Sequence, residues 1–120
     1  MIVVHGIPNC DSVRAARRWL TERGLDHRLR DLRADPQALA EVSGWAAAIG
    51  WERLLNRRGA TWRALSPATR EGLDEATALA LMAAHPLLIR RPVIDWGDGL
   101  TVGVDETSWE ERAANGGEPG

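Results

Sequence analysis

Apolar and polar residues follow two different periods along the chain, and the changes of period predict its strands and helices. Ile2–His5 is a short β-branched run followed by the turn sequence GIPN, which predicts a buried strand and a turn. From Asp11 the period becomes helical, because apolar residues such as Val13 and Leu20 recur on one face. Gly24 stands where this helix is expected to end.

The middle of the chain carries a series of helix signals. DPQALAEVSGWAAAIG is predicted to begin with Asp35 as N-cap and Pro36 at the first helical position. WERLLNRRG adds a short helical piece that is predicted to end at Gly59. SPATREGLDEATALALMAAHP predicts two further helices, the second capped near Asp74 and stopped by Pro86.

Strand signals return after the helical block. VIDW and LTVGV flank the turn GDG, which predicts a hairpin, and DETSWEERAA predicts a last helix. The weak alternation in HRLRDL predicts an edge strand. The order βαβ, helical block, ββα indicates an α/β protein with a small mixed four-stranded sheet, flanking helices and a helical insertion. We expect one domain over residues 1–114, an insertion over about 35–85 and a flexible tail over 115–120.

Composition narrows the class of protein. A chain of 120 residues can bury one core, and it contains no apolar run near the roughly 20 residues that a membrane span requires. The start MIVVHG lacks the basic segment and apolar stretch of a signal peptide. A single cysteine excludes an intramolecular disulfide, so a cytoplasmic location is expected.

The charged residues also exclude some partners. The net charge is −2, every basic side chain is Arg, and the arginines are spread along predicted helices, so neither nucleic-acid nor membrane binding is favoured. Arg binds carboxylates and oxyanions with a planar fork that Lys lacks. The three histidines lie far apart and there is one cysteine, so we expect no metal site.

Cys10 is the candidate for chemistry, because it stands between the first strand and the first helix. A helix N-terminus offers free N–H groups that stabilise a thiolate, and Arg14 adds a positive charge one turn later. The carboxylate of Asp11 works against the thiolate. Packing and chemistry are about equally favoured by these residues alone, since a lone cysteine is often a small core residue.

Four segments resemble the arsenate reductase (ArsC) family, and in particular its YffB-like branch near the Spx regulators: GIPNCDSVRAARRWL, LLNRRGATWRAL, ALALMAAHPLLIRRPVI and GVDETSWEE. The resemblance covers nearly the whole chain and implies a thioredoxin-like fold with a helical insertion. It implies that Cys10 is the attacking thiol of a P-x-C-x-x-x-R pattern, met by Pro8, Cys10 and Arg14. It also implies that Arg91 and Pro92 lie opposite the thiol, with a cis bond before the proline.

The same resemblance suggests how a substrate is held. It implies glutathione as co-substrate, no tightly bound cofactor, and glutaredoxin or a thiol-modified protein as further partners. Arg91 and Arg14 join Cys10 as candidate catalytic residues. Either Arg57 or Arg58 is expected to face the site. Arg58 is the better candidate, and a solvated helix end would explain Arg57. The candidate glutathione-binding residues are Asn9, Asp11, Ser12, Arg58 and Pro92.

The sequence departs from the arsenate-reducing members of the family. Those use three arginines around the oxyanion, and of these only Arg91 is present. Asn56 stands at the second position, and the third falls near Gly103 or Val104. The histidine of some arsenate reductases aligns with Gly6. His5 is expected to point to the opposite face of the strand and to be partly buried.

The sequence departs from the Spx regulators at one residue. They carry a C-x-x-C pair, and Val13 stands where the second cysteine would be. A single thiol needs an external thiol to resolve its adducts. The leading hypothesis is therefore a glutathione-dependent thiol reductase. The alternatives are an Spx-like regulator that binds a protein such as RNA polymerase without redox switching, or a true arsenate reductase.

Overall fold

The computed structural model describes residues 1–35 and 38–114. Its elements in chain order are β1 (Ile2–Gly6), α1 (Asp11–Glu22), β2 (His27–Asp31), α2 (Leu39–Ile49), α3 (Trp51–Leu54), α4 (Ala60–Ala64), α5 (Pro67–Glu71), α6 (Glu75–Ala84), a 3₁₀ turn (Pro86–Leu88), β3 (Val93–Asp95), β4 (Leu100–Val102) and α7 (Glu106–Ala114). Within the described ranges no helix is both long enough and apolar enough to cross a membrane.

The four strands form one mixed sheet in the order β2-β1-β3-β4. β1 pairs in parallel with β2 and antiparallel with β3, and Val4 lies between Leu29 and Ile94. β3 and β4 form the antiparallel hairpin predicted around the turn GDG. The predicted α/β class, the mixed four-stranded sheet and the edge position of HRLRDL are confirmed, and the fold is thioredoxin-like.

The chain divides into two compact units. We call Met1–Asp35 together with the chain from Arg91 onward the sheet unit, and Pro36–Arg90 the helical unit. The predicted insertion at about 35–85 corresponds to the helical unit. The predicted flexible tail over 115–120 lies outside the described residues, as does Pro36.

The core of the sheet unit explains why α1 packs against β1. Its apolar face buries Val13, Ala16, Trp19 and Leu20, the helical spacing that the sequence predicts. Trp19 contacts Trp109 of α7 edge-on, with ring centroids 5.4 Å apart. These contacts fix the first turn of α1, and with it Cys10, relative to the sheet.

The predicted start of α2 is wrong. Its N-cap is Ala38, and Asp35 belongs instead to the turn after β2. There the carboxylate of Asp35 accepts a hydrogen bond from Arg30 Nε at 3.1 Å. Asp is a preferred N-cap residue, but here the carboxylate of Asp35 binds Arg30 and does not cap a helix.

The predicted helix end at Gly59 is also wrong. α3 ends at Leu54, because Leu55 forms an antiparallel bridge with Ile89. The N–H of Arg90 donates to the carbonyl of Leu54 at 2.7 Å, within the same unit. Gly59 is instead the N-cap of α4, a helix that the sequence did not predict.

The later helices of the helical unit agree with the prediction. Ser66 caps α5 by accepting a hydrogen bond from the N–H of Thr69. Asp74 caps α6, which ends before Pro86.

Candidate active site

Cys10 is the N-cap of α1, with extended backbone angles of φ −98° and ψ 129°. The predicted helix start at Asp11 is confirmed. The chain reaches this point through the short turn after β1, in which the N–H of Cys10 donates to the carbonyl of Ile7 at 3.3 Å. The thiol is half-buried at the carboxyl end of β1, the edge where open α/β sheets bind ligands.

The surroundings of the sulfur favour its ionised form. Burial alone raises the pKa of the Cys10 thiol. The backbone N–H of Val13 and the Arg91 side chain, which both hydrogen-bond to the sulfur, lower it. The N–H of Ser12 and the positive charge of Arg91 act in the same direction. The pKa of Cys10 consequently lies below its ordinary value of 9.0, which is the property that a nucleophilic thiol requires.

The pairing of β3 explains why Arg91 reaches the thiol. β3 is antiparallel to β1, and His5 pairs with Val93, so the residues before β3 lie beside the end of β1. Arg91–Pro92 is a cis peptide bond, as the resemblance implies. The carbonyl of Pro92 accepts a hydrogen bond from the N–H of Gly103 at 2.9 Å.

Arg14 has a different partner from the one predicted. Its guanidinium forms an ion pair with Asp11, on the exposed side of the first helical turn. The groups that lower the pKa of Cys10 are Val13, Ser12 and Arg91, and Arg14 is not among them. Arg14 therefore pairs with Asp11, the carboxylate that was expected to disfavour the thiolate.

Arg33 is a site residue that sequence reasoning missed. Its Nη2 donates to Oδ1 of Asn9 at 3.3 Å, beside the loop that leads to the thiol. β1 and β2 are parallel and Gly6 pairs with Asp31, so residues just after both strands meet at one edge. The weak strand signal in HRLRDL, which ends directly before Arg33, was the available clue.

Position 6 has no room for the histidine of some arsenate reductases. A Cβ atom on Gly6 would collide with Cγ2 of Val13, which is fully buried. His5 is buried, as predicted, and its Nδ1 lies 3.5 Å from Nη1 of Arg30. The close approach of α1 to β1 therefore requires glycine here.

Asn56 and Gly103, which lie at or near positions where the resemblance implies arginine in arsenate-reducing members, have structural tasks in this chain. Asn56 accepts a hydrogen bond from the N–H of Arg58 at 3.1 Å and donates to the carbonyl of Leu87 at 3.4 Å. Gly103 has a φ of +74°, in the left-handed region that favours glycine. Arg57 and Arg58 are exposed in the helical unit, and their part in thiol chemistry stays a prediction.

Comparison with known proteins gives four informative likenesses. Residues 5–112 match the ArsC family. A protein from Haemophilus influenzae is 37% identical over 114 residues, which cover 95% of this chain and 100% of that protein. The global transcriptional regulator Spx of Listeria innocua is 28% identical over 108 residues, which cover 88% of this chain and 82% of Spx. The solved structure of a protein named YffB superposes with a TM-score of 0.88 at 36% identity, over 92% of this chain and 97% of YffB.

Proposed function

The chain belongs to the ArsC family, and we propose that it is a glutathione-dependent thiol reductase with Cys10 as its single nucleophile. One observation carries this proposal. The Cys10 sulfur receives hydrogen bonds from the first turn of α1 and from Arg91, and the pKa of the thiol is lowered. A cysteine that served only to fill the core would be expected to have its pKa raised by burial.

The reaction begins when the Cys10 thiolate attacks one sulfur of a disulfide between glutathione and a substrate thiol. The S–S bond of that substrate breaks, a new S–S bond joins Cys10 to glutathione, and the substrate thiolate leaves and takes a proton from solvent. A second glutathione thiolate then attacks the glutathione sulfur of the adduct. This step returns the Cys10 thiolate and releases oxidised glutathione. The net reaction therefore consumes one reduced glutathione, and the other half of the oxidised glutathione comes from the substrate disulfide.

The residue at position 13, a valine, explains why the proposed reaction needs an external thiol. This residue stands where a second cysteine would resolve the adduct internally, and its side chain is fully buried in the sheet unit. Among the described residues Cys10 is the one free cysteine. Glutathione, or a glutaredoxin that carries it, therefore completes the cycle, and we place the reaction in the cytoplasm, where thiols stay reduced.

Residues around the thiol have distinct proposed roles. Arg91 stabilises the attacking and leaving thiolates, because its guanidinium reaches the sulfur. The half-buried Ser12 offers its N–H at the same point. Asn9, Asp11, Ser12 and Pro92 are the proposed contacts of glutathione in the sheet unit.

Mass spectrometry of the intact protein after treatment with oxidised glutathione tests the proposal. We expect one glutathione on the wild type, removable by dithiothreitol, and none on Cys10→Ser. Alkylation of Cys10 by iodoacetamide is expected to rise at a lower pH than alkylation of a free thiol. An ordinary thiol titration together with no glutathione adduct would exclude the reductase.

The similarity to Spx supports one second candidate, a protein-binding regulator without redox switching. A pull-down with wild type and Cys10→Ala, probed for RNA polymerase, separates the two functions. Capture that is independent of Cys10 favours the regulator, whereas a partner held through a mixed disulfide favours the reductase. Arsenate turnover is expected to be weak or absent. By the family resemblance, two oxyanion-binding arginines are replaced, one by Asn56 and the other by Gly103 or Val104.

A further inference from the structure

The helical unit contains a pocket of about 210 Å³ whose lining is rich in arginine. The polar side chains that line it are Glu52, Arg53, Asn56, Arg57, Arg58 and Arg90. Four guanidinium groups thus surround one cavity with a single carboxylate. The whole chain has a net charge of −2, so a generally basic surface does not explain this concentration of positive charge.

The pocket arginines differ from four of the nine arginines in the sheet unit. There, four arginine–carboxylate pairs are formed: Arg14–Asp11, Arg23–Glu110, Arg30–Asp35 and Arg112–Asp98. Within residues 38–114, none of Arg53, Arg57, Arg58 and Arg90 forms an ion pair with a carboxylate. Like charges held around one cavity repel each other, and an anion in that cavity would relieve the repulsion.

The backbone beneath the pocket is held by specific contacts. The bridge between Leu55 and Ile89 joins the segment of Arg57 and Arg58 to that of Arg90. The carbonyl of Arg58 also accepts a hydrogen bond from Nη1 of Arg63 at 2.7 Å. The arginines consequently project from a backbone that is already ordered, which reduces the entropy lost when a ligand binds.

The guanidinium of Arg57 is oriented by a further contact. Its central carbon lies 5.4 Å from the ring centroid of Trp62, within the range of a cation–π interaction. Trp62 is half-buried, so it presents a fixed face to the arginine.

We propose that this arginine pocket binds a small oxyanion that carries two or more negative charges. Guanidinium groups pair with phosphate and carboxylate oxygens through two parallel hydrogen bonds, and several of them neutralise a multiply charged ligand. The inference does not depend on the thiol chemistry proposed above, because every lining residue belongs to Pro36–Arg90.

Calorimetric titration of the full chain with pyrophosphate, at constant ionic strength, tests this proposal. We expect saturable binding at one site, weakened about tenfold or more by Arg58→Gln and by Arg90→Gln, since each removes charge-assisted hydrogen bonds. The matched control is Arg70→Gln, which removes the same charge from the helical unit but does not line the pocket. It should change the affinity less than about twofold, because a charge outside the lining is screened by salt. Circular dichroism confirms that each variant is folded.

A second titration with citrate distinguishes phosphate-type from carboxylate-type ligands. Saturable binding of either anion that is lost in the pocket variants supports the proposal. The Cys10→Ser variant should bind pyrophosphate with wild-type affinity, whether or not the wild type reacts with glutathione. Absence of saturable binding by both anions, equal weakening by Arg70→Gln, or loss of binding in Cys10→Ser would overturn it.

Discussion

Helices α1 and α6 have similar lengths, 12 and 10 residues, but they differ in whether a side chain caps the free N–H groups of the first turn. α6 begins with a capping box, in which the Asp74 carboxylate accepts from the N–H of Thr77 at 2.9 Å and Thr77 Oγ1 accepts from the N–H of Asp74 at 2.9 Å. α1 begins with Cys10, which has no side-chain oxygen and forms no side-chain capping hydrogen bond. The N–H groups of Val13 and Ser12 act instead by lowering the pKa of its thiol.

The two N-cap residues, Asp74 and Cys10, stabilise the fold over different pH ranges. Hydrogen bonds from Thr77 lower the pKa of Asp74 below 3.8, so its stabilising effect is present above that value and is lost as the pH falls through the lowered pKa. The Cys10 thiolate stabilises the fold above 9.0, the ordinary thiol pKa, and this effect is lost as the pH falls through its own lowered pKa. α6 thus has a cap that remains charged across neutral pH, whereas α1 has a weaker cap that can react.

The largest effect is expected from giving α1 the cap of α6. Cys10→Asp should abolish glutathione adducts completely and raise the free energy of unfolding by roughly 1 kcal/mol, because Asp is a preferred N-cap. Intact-mass spectrometry and urea unfolding measure the two effects. Cys10→Ala is the control, which should lose the adduct without gaining stability. An aspartate variant less stable than the alanine variant would contradict this comparison.

The second effect concerns the contact that holds the first turn of α1 against the sheet. Gly6→Ala should lower the free energy of unfolding by about 1–3 kcal/mol, because the added methyl group meets the buried side chain of Val13. Gly44→Ala is the matched control in α2, where a Cβ atom has nothing within 4 Å. There the same change should stabilise by about 0.5–1 kcal/mol through helix propensity. Urea unfolding of both variants is the measurement, and equal signs would refute the assignment.

A smaller effect separates the two arginines near Cys10. Arg91→Gln should raise the pKa of the thiol and slow iodoacetamide alkylation at neutral pH several-fold, because a smaller fraction of Cys10 is then thiolate. The matched control Arg14→Gln removes an equal charge that is paired with Asp11, and it should change the rate less than about twofold. If Arg14→Gln slowed alkylation more than Arg91→Gln, Arg14 would stabilise the thiolate as the sequence predicts, which would contradict this comparison.

The smallest effect is expected at the start of α6. Asp74→Ala should lower the melting temperature at neutral pH and reduce the loss of stability in acid, because the carboxylate with the lowered pKa is gone. Glu75→Gln removes a neighbouring charge of the first turn without removing the cap, and it serves as the control. Thermal unfolding between acid and neutral pH compares them. Equal pH profiles for both variants would show that the capping box has no specific effect.

Sequence reasoning succeeded where the deciding interactions are local. The spacing of Val13 and Leu20 predicted α1, and Asp74 with Pro86 predicted the bounds of α6, because caps and helix faces depend on residues within one or two turns. It was wrong at Asp35 and Gly59. In both places a contact from elsewhere, the Arg30 side chain or the Ile89 bridge, competed with the local signal.

The sequence by itself determined the class of fold and the position of Cys10 at the first turn of a helix. Both follow from the period of apolar residues and from turn chemistry, which act between near neighbours. Only the tertiary structure decided which charges surround the thiol. Strand pairing brings Arg91 to Cys10 while Arg14, one turn away, is paired with Asp11. It likewise gathers Arg90 with Arg57 and Arg58 around one cavity. Electrostatic interactions depend on distance in space, and pairing between distant segments sets that distance.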